Sequence, residues 1–349
     1  MQKLLNLKSK VTFPAEWAEQ NAIQFTFPHT NSDWVDKIIE VEKCFTEIIT
    51  TVAEYESVIV VCADKNHVSK LLAHIPQNKL SLVEIPSNDT WARDHGGITV
   101  FKTDETNKVS KIIYDFTFNG WGLKFAADKD NLITRQLFKE NVQQIPLVFE
   151  GGGIESDGEG TLMTTSECLL SPNRNGHLSK NQITQKLKKL FGANRVLWLN
   201  NGYLAGDDTD SHIDTLARFC AVDLIAYVKC DDKNDEHYST LKKMENELKR
   251  FRTVDKKSYR LVALPMPDAC YAEDGHRLPA TYANFLIING AVLMPTYGVK
   301  QDEAALHILQ NCFPNRKIIG INCRILIEQH GSLHCVTMQY PQLGVSCKS

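Results

Sequence analysis

The sequence predicts a single domain of mixed α and β structure. Its 349 residues are 43% hydrophobic and 23% charged, which is the balance of a folded globular protein with a sizeable core. Helix-like stretches alternate with short runs rich in β-branched residues, and no Pro-rich, Gly-rich or low-complexity linker separates them. We therefore expect residues 1–349 to form one α/β domain.

Five stretches have apolar residues at spacings of three and four, which is typical of helices with one buried face. These predicted helices are Val35–Tyr55, Asn131–Val142, Lys180–Phe191, His237–Phe251 and Asp302–Cys312.

A second pattern recurs between the helices: an apolar strand, a polar loop rich in glycine and carboxylates, and another apolar stretch. One polar residue from each loop can be aligned at intervals near 60 residues, namely Asp94, Glu150, His212, Asp274 and Cys335. Such a period favours a closed ring in which the five polar loops converge on one axis. An ordinary α/β sheet with evenly spaced loops is the alternative that the residues alone leave open.

Composition and charge exclude several classes of protein. The net charge is −3 and the basic residues are scattered, so we expect no binding to nucleic acid or to an anionic membrane. The N-terminus lacks a signal peptide, and no window approaches ~18 consecutive apolar residues. The ten cysteines include no C-x-x-C pair, so we expect reduced thiols in a cytoplasmic protein.

Candidate chemistry lies in the polar loops. In TDSHIDTLARF, His212 and Asp214 are two residues apart and would project to the same side of a strand, as a proton shuttle beside a fixed charge. An interior histidine followed by a helix cap is the alternative. In NDTWARDHGG, Asp89 and Asp94 flank Trp91, although an Asp after an Arg can equally form a salt bridge that pins a loop.

The second and last loops add a carboxylate and a thiol. Glu150 precedes three glycines, which allow a close backbone approach to a ligand or simply supply turns. QHGSLHCVTMQY offers His330, His334 and Cys335, a set that a zinc site or a cysteine peptidase would also use. Several acids and tryptophans around one thiol favour a planar, delocalised cation instead, and guanidinium is such a cation.

Taken together, the motifs resemble those of the agmatine deiminases, in the wider family of Porphyromonas-type peptidylarginine deiminases. The motifs are NDTWARDHGG, FNGWGLK, EGGGIESDGEGTLMTTSECLLSPNRN, GDDTDSHIDTLARF, RLPATYANFLIINGAVLMPTYG and HGSLHCVTMQY, in that order from about Trp17 to the end. The resemblance implies a five-bladed, pseudo-symmetric α/β propeller, the fold of guanidine-modifying enzymes. It also implies hydrolysis of agmatine to N-carbamoylputrescine and ammonia in polyamine biosynthesis, without metal or organic cofactor.

The resemblance also implies a role for each matching residue. Cys335 is the nucleophile that forms an amidino intermediate and His212 the acid–base residue. Asp94 and Asp214 hold the guanidinium, and Glu150 orients His212 or the substrate. Trp91 and Trp121 would line the pocket. The sequence C-V-T-M-Q-Y-P departs from the glutamine-rich C-[IL]-T-Q-Q of many members, which leaves the nucleophile intact but affects substrate fine-tuning.

Three functions remain open from the sequence. They are agmatine deimination, deimination of another guanidine such as free arginine or peptidyl-arginine (or amidino transfer to an amine), and non-catalytic binding of a guanidine or polyamine. The expected partner is a small guanidine, and a homo-oligomer is compatible with all three.

Overall fold

The computed structural model describes residues 10–343. Its seventeen strands are, in chain order, β1 (Lys10–Thr12), β2 (Gln20–Thr26), β3 (Ser57–Cys62), β4 (Leu80–Glu84), β5 (Ile98–Thr103), β6 (Val109–Thr117), β7 (Val142–Val148), β8 (Glu155–Ser156), β9 (Thr161–Thr165), β10 (Arg195–Leu199), β11 (Ala217–Ala221), β12 (Leu224–Lys229), β13 (Arg260–Pro265), β14 (Leu286–Ile288), β15 (Ala291–Thr296), β16 (Lys317–Asn322) and β17 (Met338–Pro341).

The described helices range from one turn to five. The α-helices are α1 (Ile38–Tyr55), α2 (Lys65–Leu71), α3 (Ala92–His95), α4 (Gly120–Leu123), α5 (Ile133–Leu137), α6 (Ser166–Leu169), α7 (Pro172–Asn175), α8 (Lys180–Phe191), α9 (Tyr238–Leu248) and α10 (Asp302–Cys312). Short 3₁₀ turns cover Val35–Lys37, Asp130–Leu132, Gly151–Gly153, Ile213–Thr215 and Leu326–Gln329.

The strands form five separate sheets, and none of them is closed within residues 10–343. Their strand orders are β1-β5-β6-β7, β10-β9-β8, β11-β12-β13, β14-β15-β16 and β17-β2-β3-β4. Each sheet combines an antiparallel pair with a parallel pair whose crossover includes a helix, such as α9 between β12 and β13. The unit predicted from the sequence therefore recurs, whereas the closed ring is not observed as a closed sheet.

The fifth sheet joins the two ends of the described chain. Strand β17 pairs antiparallel with β2, so Met338 lies opposite Gln24. The hydroxyl of Tyr340 donates a hydrogen bond of 2.5 Å to the side-chain oxygen of Gln24. Since β17 begins three residues after Cys335, this pairing fixes the loop that carries Cys335.

Most of the helix predictions are confirmed. The prediction Lys180–Phe191 coincides with α8, because Ser179 and Gln182 form a capping box and Gly192 ends the helix with φ 65°. The prediction Asn131–Val142 is wrong beyond Leu137. There the chain turns extended at Phe138, Asn141 has φ 59°, and Val142 already starts β7.

Candidate active site

A pocket opens beside Cys335. Its walls combine aromatic rings with four aspartates, and no lysine or arginine of the described residues lines it. The lining residues are Asp33, Asp89, Trp91, Asp94, Trp121, Phe125, Asp208, Thr209, Gln329, His330, Gly331 and Cys335. An acidic, partly aromatic pocket of this kind is complementary to a cation with an apolar body.

Backbone contacts hold the thiol at the base of this pocket. The side-chain oxygen of Asn284 accepts hydrogen bonds from the backbone N–H groups of His334 (2.8 Å) and Cys335 (3.4 Å). The carbonyl of Cys335 in turn accepts from the N–H of Arg93, at 3.1 Å. Sγ of Cys335 lies 3.4 Å from the same Asn284 oxygen and 4.0 Å from Oδ2 of Asp214.

Asp94 lies in the short helix α3 and connects the pocket to a buried imidazole. Its Oδ2 accepts from the indole N–H of Trp121 at 2.9 Å, and its Oδ1 accepts from the N–H of Gly152 at 3.1 Å. The same Oδ1 lies 3.6 Å from Nδ1 of His212. Trp121 holds its ring there with φ 55°, a left-handed conformation that an aromatic residue rarely adopts and that is common at functional sites.

Glu150 lies on the other side of the imidazole. Its Oε2 is 3.7 Å from Nε2 of His212, which is an electrostatic contact rather than a hydrogen bond. Arg174 fixes the carboxylate by donating from Nε to both oxygens, each at 2.9 Å. Nε2 of His212 makes no hydrogen bond within residues 10–343, although the side chain is only 1% exposed.

Asp214 is held by a buried chain of polar groups. Its Oδ2 lies 2.7 Å from Nδ1 of His334, whose Nε2 lies 2.8 Å from Oε2 of Glu16. Arg218 donates to the same Glu16 oxygen at 2.6 Å. Oδ1 of Asp214 has no hydrogen-bond partner in the described part of the chain. One oxygen is thus anchored, and the other is free to accept from a ligand.

The glycine run after Glu150 lets the backbone pass close to these side chains. A Cβ on Gly152 would lie 2.5 Å from Nδ1 of His212, 2.9 Å from Oδ1 of Asp94 and 3.2 Å from Oδ2 of Asp214. Only hydrogen fits at this position, so the three functional groups can share one small space.

Burial and charge set the protonation of the site. Burial raises the pKa of the Cys335 thiol well above its usual value, and the negative charges of Asp214 and Asp94 add to this effect. For His212, burial favours the neutral ring, but Asp94, Cys168 and Glu150 outweigh it and raise the pKa. Burial, together with the charge of Asp214, raises the pKa of Asp94 to about 6, although His212 opposes this shift. In the free protein we therefore expect a neutral thiol and an imidazolium near pH 7.

The predicted residues mostly come together, but two premises behind them are wrong. Asp94, Trp91, Trp121 and Cys335 line the pocket, and His212, Asp214 and Glu150 are buried behind it. His212 and Asp214 are not on a strand: His212 precedes the 3₁₀ turn Ile213–Thr215, which contains Asp214. Asp274 does not reach the site, because its side chain is 73% exposed and pairs with His276.

The other aspartates of the polar loops divide between two roles. Asp89 and Asp208 line the pocket, whereas Asp207 and Asp210 do not. Asp207 accepts hydrogen bonds from Thr209 and Ser211 within its own loop. Asp210 pairs with Arg174 and Lys124.

The sequence argument missed three residues that the structure brings to the site: Asn284, Arg174 and Cys168. Sγ of Cys168 lies 3.9 Å from Oε2 of Glu150, and the ligand atoms of Glu150, Cys168 and His212 all lie within 4.8 Å of one another. Cys168 occurs in the quoted stretch TTSECLL, but nothing local distinguishes it from a core cysteine. It does not line the pocket.

The family model of Porphyromonas-type peptidyl-arginine deiminases matches residues 12–341. The chain belongs to this family. It is 31% identical to the agmatine deiminase of Medicago truncatula, with 97% of this chain and 100% of that protein covered. It is also similar to a solved cysteine-to-serine variant of C. jejuni agmatine deiminase with substrate bound, with 38% identity, a TM-score of 0.90, and 98% and 99% coverage.

A further solved relative carries a different provisional name, arginine deiminase, and comes from Porphyromonas gingivalis. This chain is 53% identical to it, with a TM-score of 0.89 and coverage of 95% and 99%. Several relatives therefore support membership of the deiminase family, although the substrates in their names differ: agmatine for two of them and arginine for the third. Within residues 10–343, no helix of this family member has the length and apolar composition needed to cross a bilayer.

Proposed function

We propose that the protein is an agmatine deiminase, which hydrolyses agmatine to N-carbamoylputrescine and ammonia for putrescine synthesis. The proposal rests on the pocket beside the thiol of Cys335. Four aspartates line this pocket, and no lysine or arginine of the described residues does. Agmatine is positive at both ends and apolar between them. Free arginine carries an α-carboxylate, for which an arginine fork is the usual binding group.

Arg93 is the arginine nearest to the acids in the sequence, and its side chain points away from the pocket. It donates from Nη1 to Oε1 of Gln339 at 2.5 Å and from Nε to the carbonyl of His334 at 3.4 Å. Among residues 10–343, no lysine or arginine of the lining is thus available to receive the carboxylate of arginine. The lining therefore supports agmatine as the substrate rather than arginine, the substrate in the name of the P. gingivalis relative.

In the proposed reaction, Asp94 and Asp214 hold the guanidinium between them, with the Oδ1 atom of Asp214 accepting from a substrate N–H. The positive charge of the substrate offsets the carboxylates that disfavour a thiolate, so the thiol of Cys335 ionises as the cation binds and its proton leaves to solvent. Sγ then adds to the central carbon. His212, as imidazolium, protonates the departing nitrogen, and ammonia leaves an amidino thioether behind.

Hydrolysis completes the cycle. Neutral His212 takes a proton from water, the resulting hydroxide adds to the same carbon, and the C–S bond breaks to release the ureido product and the thiolate. Glu150, held by Arg174, keeps the imidazole in place and stabilises its charged form. Trp91 and Trp121 flank the cation and exclude water from it.

The five sheets also support a propeller arrangement. We propose that they are the blades of a five-bladed, pseudo-symmetric α/β propeller within one domain spanning residues 1–349. Residues from four of the five units meet at the pocket. Strand β17 pairs with β2 within one sheet, as the closing contact between the two ends of the described chain would require. A cytoplasmic location and a homo-oligomeric state stay predictions.

The deciding experiment is ammonia release from a panel of guanidines: agmatine, arginine and a peptide with one arginine. We expect kcat/KM for agmatine to exceed that for arginine by at least about a hundredfold, or ~2.7 kcal/mol in transition-state binding. Cys335→Ala, as matched control, should release no ammonia from any of them while keeping the melting temperature of the wild type.

Each alternative has its own outcome in the same assay. Comparable turnover of arginine would refute the interpretation of the pocket but not the deiminase chemistry. Agmatine binding without ammonia would indicate a binding protein. If an isotope-labelled amidino group moved to an added amine and no ureido product formed, the protein would be an amidinotransferase.

A further inference from the structure

We infer that Cys168, His212 and Glu150 form a binding site for a thiophilic divalent cation, with Zn²⁺ as the best-fitting ion, and that its occupation switches the enzyme off. The thiol of Cys168 has no role in the proposed reaction. We call these three side chains the Cys168 cluster.

The geometry of the Cys168 cluster suits a metal ion. Oε2 of Glu150 lies 3.7 Å from Nε2 of His212 and 3.9 Å from Sγ of Cys168, and the three ligand atoms lie within 4.8 Å of one another. Tetrahedral zinc, with bonds of about 2.0–2.3 Å, separates such N, O and S ligands by roughly 3.3–3.6 Å. The two pairs that include Glu150 would contract by a few tenths of an ångström around the ion, and the Cys168–His212 pair by at most about 1.2 Å. A water molecule would complete the tetrahedron.

A nitrogen atom of His212 has no hydrogen-bond partner among the described residues. This atom is Nε2, and the ring that carries it is almost fully buried. Unpaired buried nitrogens cost free energy, and a metal ion would satisfy this one. The ring is fixed in the required direction, because its Nδ1 faces Asp94 at 3.6 Å.

The charges of the cluster allow a cation to bind. Arg174, at 2.9 Å from Glu150, would oppose a cation if nothing else changed. However, a metal ion displaces the protons of its ligands, so the thiolate of Cys168 and the carboxylate of Glu150 would offset the two charges of the ion. Asp210 continues to neutralise Arg174.

Mixed N, O and S donors select zinc over the alternatives. Magnesium and calcium prefer oxygen-only sites, and a thiolate with an imidazole suits Zn²⁺. An ion enters through the acidic pocket, where Asp94 is both a lining residue and the neighbour of His212. Once bound, it occupies the nitrogen of the residue proposed as acid–base catalyst and displaces its proton, so turnover stops.

Metal binding is measured first in Cys335→Ala, which removes the competing thiol of the pocket. We expect one Zn²⁺ per chain by calorimetry. Co²⁺ as a spectroscopic probe should show the charge-transfer absorption of a thiolate ligand. Adding Cys168→Ala or Cys168→Ser should weaken binding of both ions at least tenfold and remove the band. Adding Cys62→Ala is the matched control and should change neither, since Cys62 is a buried core cysteine whose Sγ lies 3.7 Å from the carbonyl of Val83.

The inhibition arm rests on the proposed function and is read separately. Zn²⁺ should stop ammonia release by the otherwise unchanged protein, and Cys168→Ser should raise the half-inhibitory concentration at least tenfold. Melting curves check that the Cys168 variants fold, and having two of them guards against one that does not. Absence of the thiolate band, or a band and affinity unchanged on replacement of Cys168, would overturn the inference even if agmatine proves to be no substrate.

Discussion

Gly152→Ala tests the geometry of the site without removing any of its functional groups. The backbone at Gly152 is not left-handed, so alanine introduces no strain in φ, and its whole effect comes from one methyl group. That methyl would lie 2.5 Å from Nδ1 of His212 and 2.9 Å from Oδ1 of Asp94. Neither distance is tolerated, so the imidazole and the carboxylate must move apart.

The magnitude follows from the geometry. A normal carbon–nitrogen contact is nearly 1 Å longer than the distance of 2.5 Å between the added methyl carbon and Nδ1 of His212. A misplacement of roughly 1 Å at a catalytic group lowers the rate about a hundredfold. We therefore expect kcat/KM for agmatine to fall by about a hundredfold, or ~2.7 kcal/mol. Overpacking of this kind costs about 1–3 kcal/mol of folding free energy, so the variant should still fold.

The assay is steady-state ammonia release beside thermal unfolding, with Gly320→Ala as control. A Cβ at Gly320 would lie 3.1 Å from Cγ2 of Thr296 and touch no residue of the site. The control should keep kcat/KM within about twofold. A Gly152→Ala protein that matches the control in rate would refute the proposal that His212 and Asp94 act together in the close arrangement described.

Three further predictions test the thiol, the support of Asp214 and a buried acid. A haloacetamidine should alkylate Cys335 and no other cysteine; mass spectrometry that finds the adduct on Cys168 instead would reassign the nucleophile. His334→Asn, whose amide can still donate to Asp214, should retain at least about ten times more kcat/KM than His334→Ala, since one charge-assisted hydrogen bond contributes about 1.5–3 kcal/mol; equal losses in both variants would contradict this positioning role. Burial raises the pKa of Glu56, at the end of α1, from 4.5 to about 7. Between pH 4.5 and pH 7 the folded protein therefore holds a proton that the unfolded chain has released, and the free energy of unfolding falls as the pH rises. Glu56→Gln should therefore stabilise the protein at pH 8 by on the order of 2 kcal/mol and have little effect at pH 4, as chemical denaturation at both pH values can test.

Local signals explain which parts of the fold the sequence could predict. The predicted bounds of helix α8, which rest on apolar spacing, agree with the structure because a capping box at Ser179 and a left-handed glycine at Gly192 end the helix where that spacing ends. The predicted helix from Asn131 ran too far because apolar periodicity continues into β7. Four residues, 138–141, separate the two elements: the chain becomes extended at Phe138 and turns at Asn141, which has a positive φ.

Some residues of the candidate site can likewise be predicted from local motifs, whereas others depend on contacts between distant parts of the chain. Asp94, Trp121, His212 and Cys335 stand in distinctive motifs, so a resemblance could single them out. The role of His334 depends on Glu16, which is 318 residues away in the chain, and no local pattern encodes such a contact. Asp274 was misassigned because an even period says where a loop falls but not whether that loop reaches the pocket.

The pairing of β17 with β2 has a consequence for how the enzyme becomes active. The hydrogen bond between Tyr340 and Gln24 joins residues 316 positions apart, and closing a loop of that length costs roughly 5 kcal/mol in chain entropy. The strand that fixes Cys335 is also the last described strand to leave the ribosome. Earlier units can therefore fold during synthesis as an inert scaffold, and the nucleophile is positioned only when the two ends meet. A nascent or C-terminally clipped chain would then hold its substrate-binding acids without any power to turn agmatine over.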